Sequence, residues 1–117
     1  MLKFEELRVY QQALDFNDLI YNVSKKFPKD ETFGLTNELR RASASISLNI
    51  AEGSSRTKKD FRHFLDLSRG SCYECAAVLT IAKRCRYITT DEFSNLYELC
   101  NSLTKMINAL KISIREP

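Results

Sequence analysis

The residues with chemical potential gather in one stretch, RRASASISLNIAEGSSRTKKDF, residues 40–61. Ser43, Ser45 and Ser47 alternate there, Asn49 and Glu52 follow, and basic residues stand at both ends. A serine becomes a nucleophile when a neighbouring base takes its proton. His63 is the only histidine, and Arg62 and Asp66 put it on a solvated face. The chain has no strand-turn-helix elbow and no glycine-rich oxyanion loop. It carries no Walker, Rossmann or HExxH pattern. Glu52 and Glu74 could meet across neighbouring helices, yet no Glu-x-x-His repeat supports a di-metal bundle. No enzyme activity, catalytic residue or cofactor is expected.

Cys72-Tyr-Glu-Cys75 matches CxxC. In redox enzymes that motif works at a helix N-terminus, where the dipole lowers a thiol pKa. Here it falls mid-helix, with both cysteines on an apolar stripe. Cys85 and Cys100 bring the thiols to four, but the second pair is split without a structural-zinc spacing. Buried packing is the expectation, with zinc or redox chemistry as the alternatives and no metal ligand assigned. In a reducing compartment four such cysteines stay free.

The cations form a better lead. Lys59, Arg62 and Arg69 share one outer stripe with Tyr73, broken by Asp66. Arg56 and Lys58 extend it backwards, and Arg40 and Arg41 stand at the start of the opening stretch. Phosphate contacts need long cations on an exposed face, so these seven residues are the candidate RNA- or DNA-binding set. The competing reading is a salt-bridged solvated face, since Asp66 is a helical neighbour of both Arg62 and Arg69. Net charge is +3 overall but +6 over residues 40–86, against −2 for residues 1–39 and −1 for residues 87–117. Such polarity is compatible with a polyanion partner without demanding one.

Four helices must position these groups. With 117 residues the chain is long enough for one domain with a real core, and three glycines and two prolines are too few for a sandwich or barrel. The first helix is expected over 5–27, stopped by Pro28, with Val9, Ala13, Phe16, Ile20 and Val23 in helical register. The second is expected over 33–53, ending at Gly53, and the third over 58–86 with Thr57 as N-cap. Thr89 and Glu92 fit a capping box for a fourth over 90–114. Short connections make successive helices antiparallel, so the predicted fold is all-α, an up-down-up-down four-helix bundle occupying residues 1–117. No run of 18 apolar residues exists and the start has no apolar signal core, so a cytoplasmic protein without a membrane partner is expected.

The second helix is unusual because its back is not polar. Ala42, Ser43, Ile46 and Gly53 cluster on one side, while Ala44, Leu48 and Ala51 lie on the other. A helix apolar on both sides is often buried on both, which points to self-association through Ala44, Leu48 and Ala51. Gly70, Tyr73 and Ala77 repeat the signal on the third helix. Alanines on an outer face are also common without any interface. Asn49 is expected to be a hydrogen-bonded core residue rather than a ligand contact, and Glu52 to find an arginine or an amide.

The blocks FEELRVYQQA, FPKDETFGLTNELRRASASISLNIAEG and FLDLSRGSCYE resemble the 23S rRNA intervening-sequence proteins over nearly the whole chain. The resemblance implies a small bacterial helical bundle that assembles as a homopentamer. The family name reflects genes lying within insertions in ribosomal RNA genes, which is not an activity. The fold is also similar to the accessory variability protein of diversity-generating retroelements, a basic pentamer that binds nucleic acid and a reverse transcriptase. The motif residues that match are Gly34, Leu35, Arg40, Arg41, Asn49, Glu52, Gly53, Gly70, Ser71 and Glu74, none with a catalytic role. Tyr10 stands where the family often has Trp, and Glu38 where it often has Gln. Glu38 adds a negative charge beside Arg41. Cys72 and Cys75 lie outside the pattern.

Overall fold

The computed structural model describes residues 2–114; residue 1 and residues 115–117, which the single-domain expectation includes, lie outside the described residues. Four helices follow in order: α1 (Arg8–Ser24), α2 (Leu35–Ser54), α3 (Lys58–Arg84) and α4 (Thr90–Ser113). Short 3-10 turns at Lys3–Glu6 and Lys29–Glu31 precede α1 and α2. Among the described residues there is no strand.

The starts follow from capping chemistry. Thr57 Oγ1 accepts the Asp60 amide at 3.2 Å and opens α3. At α4, Thr89 Oγ1 accepts the Glu92 amide at 3.1 Å, and Glu92 Oε1 accepts the Thr89 amide at 2.9 Å, closing the capping box. The end of α3 is a Schellman turn: the Arg86 amide donates to Lys83 O at 3.0 Å and the Tyr87 amide to Ala82 O at 2.9 Å. Arg86 takes the left-handed position usually given to glycine, with φ 63°.

The first helix is shorter than expected. Its last residues tighten into i→i−3 bonds, with the Lys25, Lys26 and Phe27 amides donating to Asn22, Val23 and Ser24, before Pro28 ends the run. At its start Leu7 is extended, so residues 3–6 form a separate 3-10 turn.

Cross-helix bonds fix the topology. Arg41 reaches Glu74 and Ser68 reaches Ile46, so α2 and α3 are antiparallel. Arg62 meets Ile114 and Lys111 meets Asp66, so α3 and α4 are antiparallel. Lys26 pairs with Glu92, and Leu19 and Leu99 line one depression, which makes α4 and α1 antiparallel as well. The result is the up-down-up-down bundle, 49 × 23 × 22 Å. Its core is built from Phe16 and Ile20 of α1, Leu39, Ile46 and Ile50 of α2, Leu65 and Leu79 of α3, and Leu103 and Ile107 of α4. The pair α2–α3 packs most extensively and α1–α4 least. Small residues explain the first: Ser68 is fully buried and donates its hydroxyl to Ile46 O at 2.8 Å, while Gly53 admits Phe64.

Candidate functional site

The seven candidate cations do not form one face. Arg40 works inside the fold: Nε donates to Ser24 Oγ at 2.8 Å, Nη2 donates to Tyr21 O at 3.3 Å, and the guanidinium stands 4.8 Å over the Tyr21 ring. It stitches α2 to α1. Arg62 likewise donates through Nη1 to Ile114 O at 3.0 Å, satisfying a carbonyl at the end of α4. Both roles join residues far apart in sequence.

The other five are exposed. Arg41 keeps 67% of its side chain accessible and touches Glu74 at 3.5 Å, a surface pair of small energetic value. Arg56 bonds Glu52 at 3.4 Å and lies 5.3 Å over the Phe64 ring. Lys58, Lys59 and Arg69 have no ion pair among the described residues. Arg69 stacks 5.6 Å over Tyr73. Arg56, Lys58 and Lys59 therefore gather at the α2–α3 turn, while Arg41 lies some four turns back along α2, roughly 20 Å away at 1.5 Å per residue.

The stripe of Arg62, Asp66 and Arg69 turns toward α4. Asp66 pairs not with its helical neighbours but with Lys111 of α4, at 2.6 Å. The ion pairs expected within α3 are thus replaced by a bridge between helices.

The small-residue surface is better defined. Leu48 is 65% exposed, with half-buried Ala44 and Ala51 a turn to either side. Arg41–Glu74 and Ile46–Ser68 set the register of α2 against α3, and that register puts Leu48 level with Leu67, which is 45% exposed. Leu67 escaped the sequence reading because it falls just off the buried stripe of α3. Gly70 faces open space, with nothing among the described residues within 4 Å of a Cβ built there, and Ala77 is exposed. Tyr73 is exposed but turned aside: with Tyr97, Cys72 and Cys100 it lines a cleft of about 140 Å³ between α3 and α4.

The remaining polar candidates resolve into local structure. Asn49 Nδ2 donates to Ser45 O at 2.8 Å and to Ser45 Oγ at 2.9 Å. Glu52 has Arg56 and Glu74 has Arg41, so the two carboxylates serve different turns of the bundle and do not meet. Cys72, Cys75 and Cys100 are buried as free thiols. Burial pushes Cys72 and Cys100 up to about 12 and raises Cys75 as well, so all three stand as neutral thiols at neutral pH. Cys85 departs from the packing expectation. The helix ends at Arg84, which leaves Cys85 exposed as the C-cap. His63 is exposed, as its neighbours implied.

The family model described as 23S rRNA-intervening sequence protein matches residues 5–109. The chain belongs to that family. Among solved structures, this intervening-sequence family member is similar to a protein from Bacteroides thetaiotaomicron described as of unknown function and of the S23 ribosomal protein family. The two share 22% identity with a TM-score of 0.81, over 88% of this chain and 97% of the other, a likeness of fold. No curated protein matches the chain. Among the described residues of this family member, no helix is long and apolar enough to cross a membrane.

Proposed function

We propose that this intervening-sequence family member is a non-enzymatic, homo-oligomeric bundle that binds RNA or DNA through cations of α2 and α3. The supporting observation is the set of cations the fold leaves unengaged. Lys58, Lys59 and Arg69 are exposed without a carboxylate partner among the described residues, in a segment of net charge +6. Arg56 adjoins them, and Arg41 is a further, more distant contact. Arg40 and Arg62 act indirectly, by holding α2 and α4 in place. Repetition of the surface in an oligomer adds avidity to weak single contacts. By family resemblance the protein is bacterial and the oligomer a pentamer, and the cytoplasm is the compartment we propose for it.

The second reading is a protein-interaction scaffold whose cations are merely solvated. It draws on exposed Leu48 and Leu67, which suit a protein surface better than a phosphate backbone. Titration of structured RNA and duplex DNA at several salt concentrations separates the two. The nucleic-acid reading expects a steep fall of affinity with salt, lessened in Lys59→Ala and Arg69→Ala. No binding to either nucleic acid at low salt rejects it in favour of the scaffold.

A further inference from the structure

Exposed rings, cations and polar side chains converge at the cleft between α3 and α4, and we propose that this cleft receives an unpaired base from a single strand of nucleic acid. The inference rests on the nucleic-acid reading proposed above and names the part of the ligand that this face takes.

The cleft has the chemistry of a stacking site. Tyr73 of α3 and Tyr97 of α4 flank it, 63% and 44% exposed. Rings held this far out of the core add little to it, and each offers a flat apolar face on which another ring can stack. Between them the floor is made by Ala76 and the neutral thiols of Cys72 and Cys100. Asn101 and Thr104 line the α4 side and supply a carboxamide and a hydroxyl, which suit the mixed donors and acceptors of a base edge. The volume is about 140 Å³, well below the ~300–1,000 Å³ that encloses a drug-sized ligand. Such a cleft takes one ring and leaves outside whatever the ring is attached to.

Cations flank the rings. The Asp66–Lys111 pair sets the register of α4 against α3, which puts Tyr73 level with Thr104, Ala76 level with Asn101, and Tyr97 a turn beyond. Arg69 stands 5.6 Å over Tyr73 at one end. At the other, the Tyr97 ring meets Phe93 at 5.5 Å, and Lys83 stands 4.7 Å over Phe93. Surfaces that bind single strands use this alternation, with rings for bases and cations for the phosphates on either side.

The carboxylates nearby are otherwise engaged or set apart. Asp66 is taken up by Lys111, Glu74 is turned to Arg41 of α2, and Glu92 is held by Lys26 of α1. Exposed Glu98 of α4 is matched by exposed Lys105, and Asp91 stands beyond Lys83 in the first turn of α4. Arg69 and Lys83 have no carboxylate partner among the described residues. Arg69 also belongs to the free cations of α3. A backbone that follows Lys58, Lys59 and Arg69 over the outer face of α3 therefore delivers a base to Tyr73, and only the base enters the seam. A duplex keeps its bases paired and stacked on one another, so it can offer this face phosphates alone; a loop or a single strand can turn a base into the cleft.

Fluorescence anisotropy titrations of the full chain with labelled oligouridylate, oligothymidylate and a duplex of equal length test this. Tyr73→Leu and Tyr97→Leu keep an apolar side chain but remove the ring. Each is expected to weaken single-strand binding about tenfold and to leave duplex binding within about twofold. Stacking is not ionic, so the slope of single-strand affinity against salt should stay as in wild type. Tyr73→Phe keeps the ring and should bind like wild type. Should a leucine variant not fold by circular dichroism, Ala76→Leu fills the floor with both rings intact and is expected to give the same selective loss. Unchanged single-strand binding in these variants overturns the cleft, as does a loss shared equally by strand and duplex. Where the loss is selective, the tighter of the two strands identifies the source as RNA or DNA, and equal affinity shows recognition of the base without its sugar. Protein that binds neither strand nor duplex at low salt rejects the nucleic-acid reading itself, whereas binding that ignores the tyrosines rejects only this site.

Discussion

Gly53 packs its backbone directly against Phe64: a Cβ built on Gly53 would lie 2.6 Å from Phe64 Cβ and 2.9 Å from Phe61 Cδ1. Real Cβ contacts are not that short, so any side chain here forces α2 from α3. Glycine inside a helix is normally a weakness worth about 1 kcal/mol relative to alanine. At Gly53 the sign reverses. Gly53→Ala is expected to destabilise the protein by about 1–3 kcal/mol through overpacking, read from urea unfolding. Gly70→Ala is the contrast, with open space around it and a helical backbone. It should stabilise the protein by about 0.5–1 kcal/mol. Equal effects at the two positions would show that helix propensity, not the Phe64 contact, governs Gly53.

The alternate serines prove unequal. Ser47 Oγ donates to Ala44 O at 3.2 Å, and Ser45 Oγ accepts from Asn49. Ser43 is fully buried and its hydroxyl has no hydrogen-bond partner among the described residues. A buried hydroxyl without a hydrogen bond costs about 1–3 kcal/mol, and its Cβ alone fills nearly the same space. Ser43→Ala is therefore expected to leave stability unchanged or raise it by about 1 kcal/mol. A loss larger than that would reveal a bond to the hydroxyl in solution.

These contrasts mark what could be read from residue order alone. Thr57 and Thr89 were legible as caps because capping is local chemistry, settled within four residues. The core stripes were legible for the same reason, since 3.6-residue periodicity belongs to each helix by itself. Arg40 and Arg62 were not, because their partners are Ser24, Tyr21 and Ile114, brought near only by packing. Asp66 shows the limit clearly: sequence offered Arg62 and Arg69 as neighbours, and geometry chose Lys111. Leu67 was hidden because its role depends on the register of α3 against α2.

The buried thiols make stability depend on alkaline pH. Cys72 and Cys100 are raised from 9.0 to about 12 in the folded protein, and Cys75 is raised as well, chiefly by burial. In the unfolded chain they ionise near their ordinary value. Their contribution is thus fully present below that value and is lost progressively as pH rises from about 9 toward the folded values. Tyr87, raised to about 12 mainly by its hydrogen bond to Glu31, adds a loss of the same sign from about pH 10. Unfolding midpoints followed from pH 7 to 10 should hold to about pH 8 and then fall. Cys100→Ala should flatten the decline, and an unchanged slope would mean that the thiols are not its source. At pH 8 a thiol reagent should modify Cys85 promptly and the other three only on unfolding.

The division between engaged and free cations yields the sharpest test of the nucleic-acid reading. Arg62→Ala removes a charged hydrogen bond to Ile114 O and should cost about 1–2 kcal/mol of stability, while leaving the slope of binding affinity against salt intact. Lys58→Ala and Lys59→Ala break no ion pair among the described residues, so stability should stay within about 0.5 kcal/mol. Each should instead lower the salt slope on duplex DNA by about 0.9, the value for one lost phosphate contact. Stability comes from chemical denaturation and the slope from titrations between 50 and 200 mM salt. The opposite pattern would place the polyanion on the α3–α4 seam, where Arg62 would have to release Ile114 to reach it.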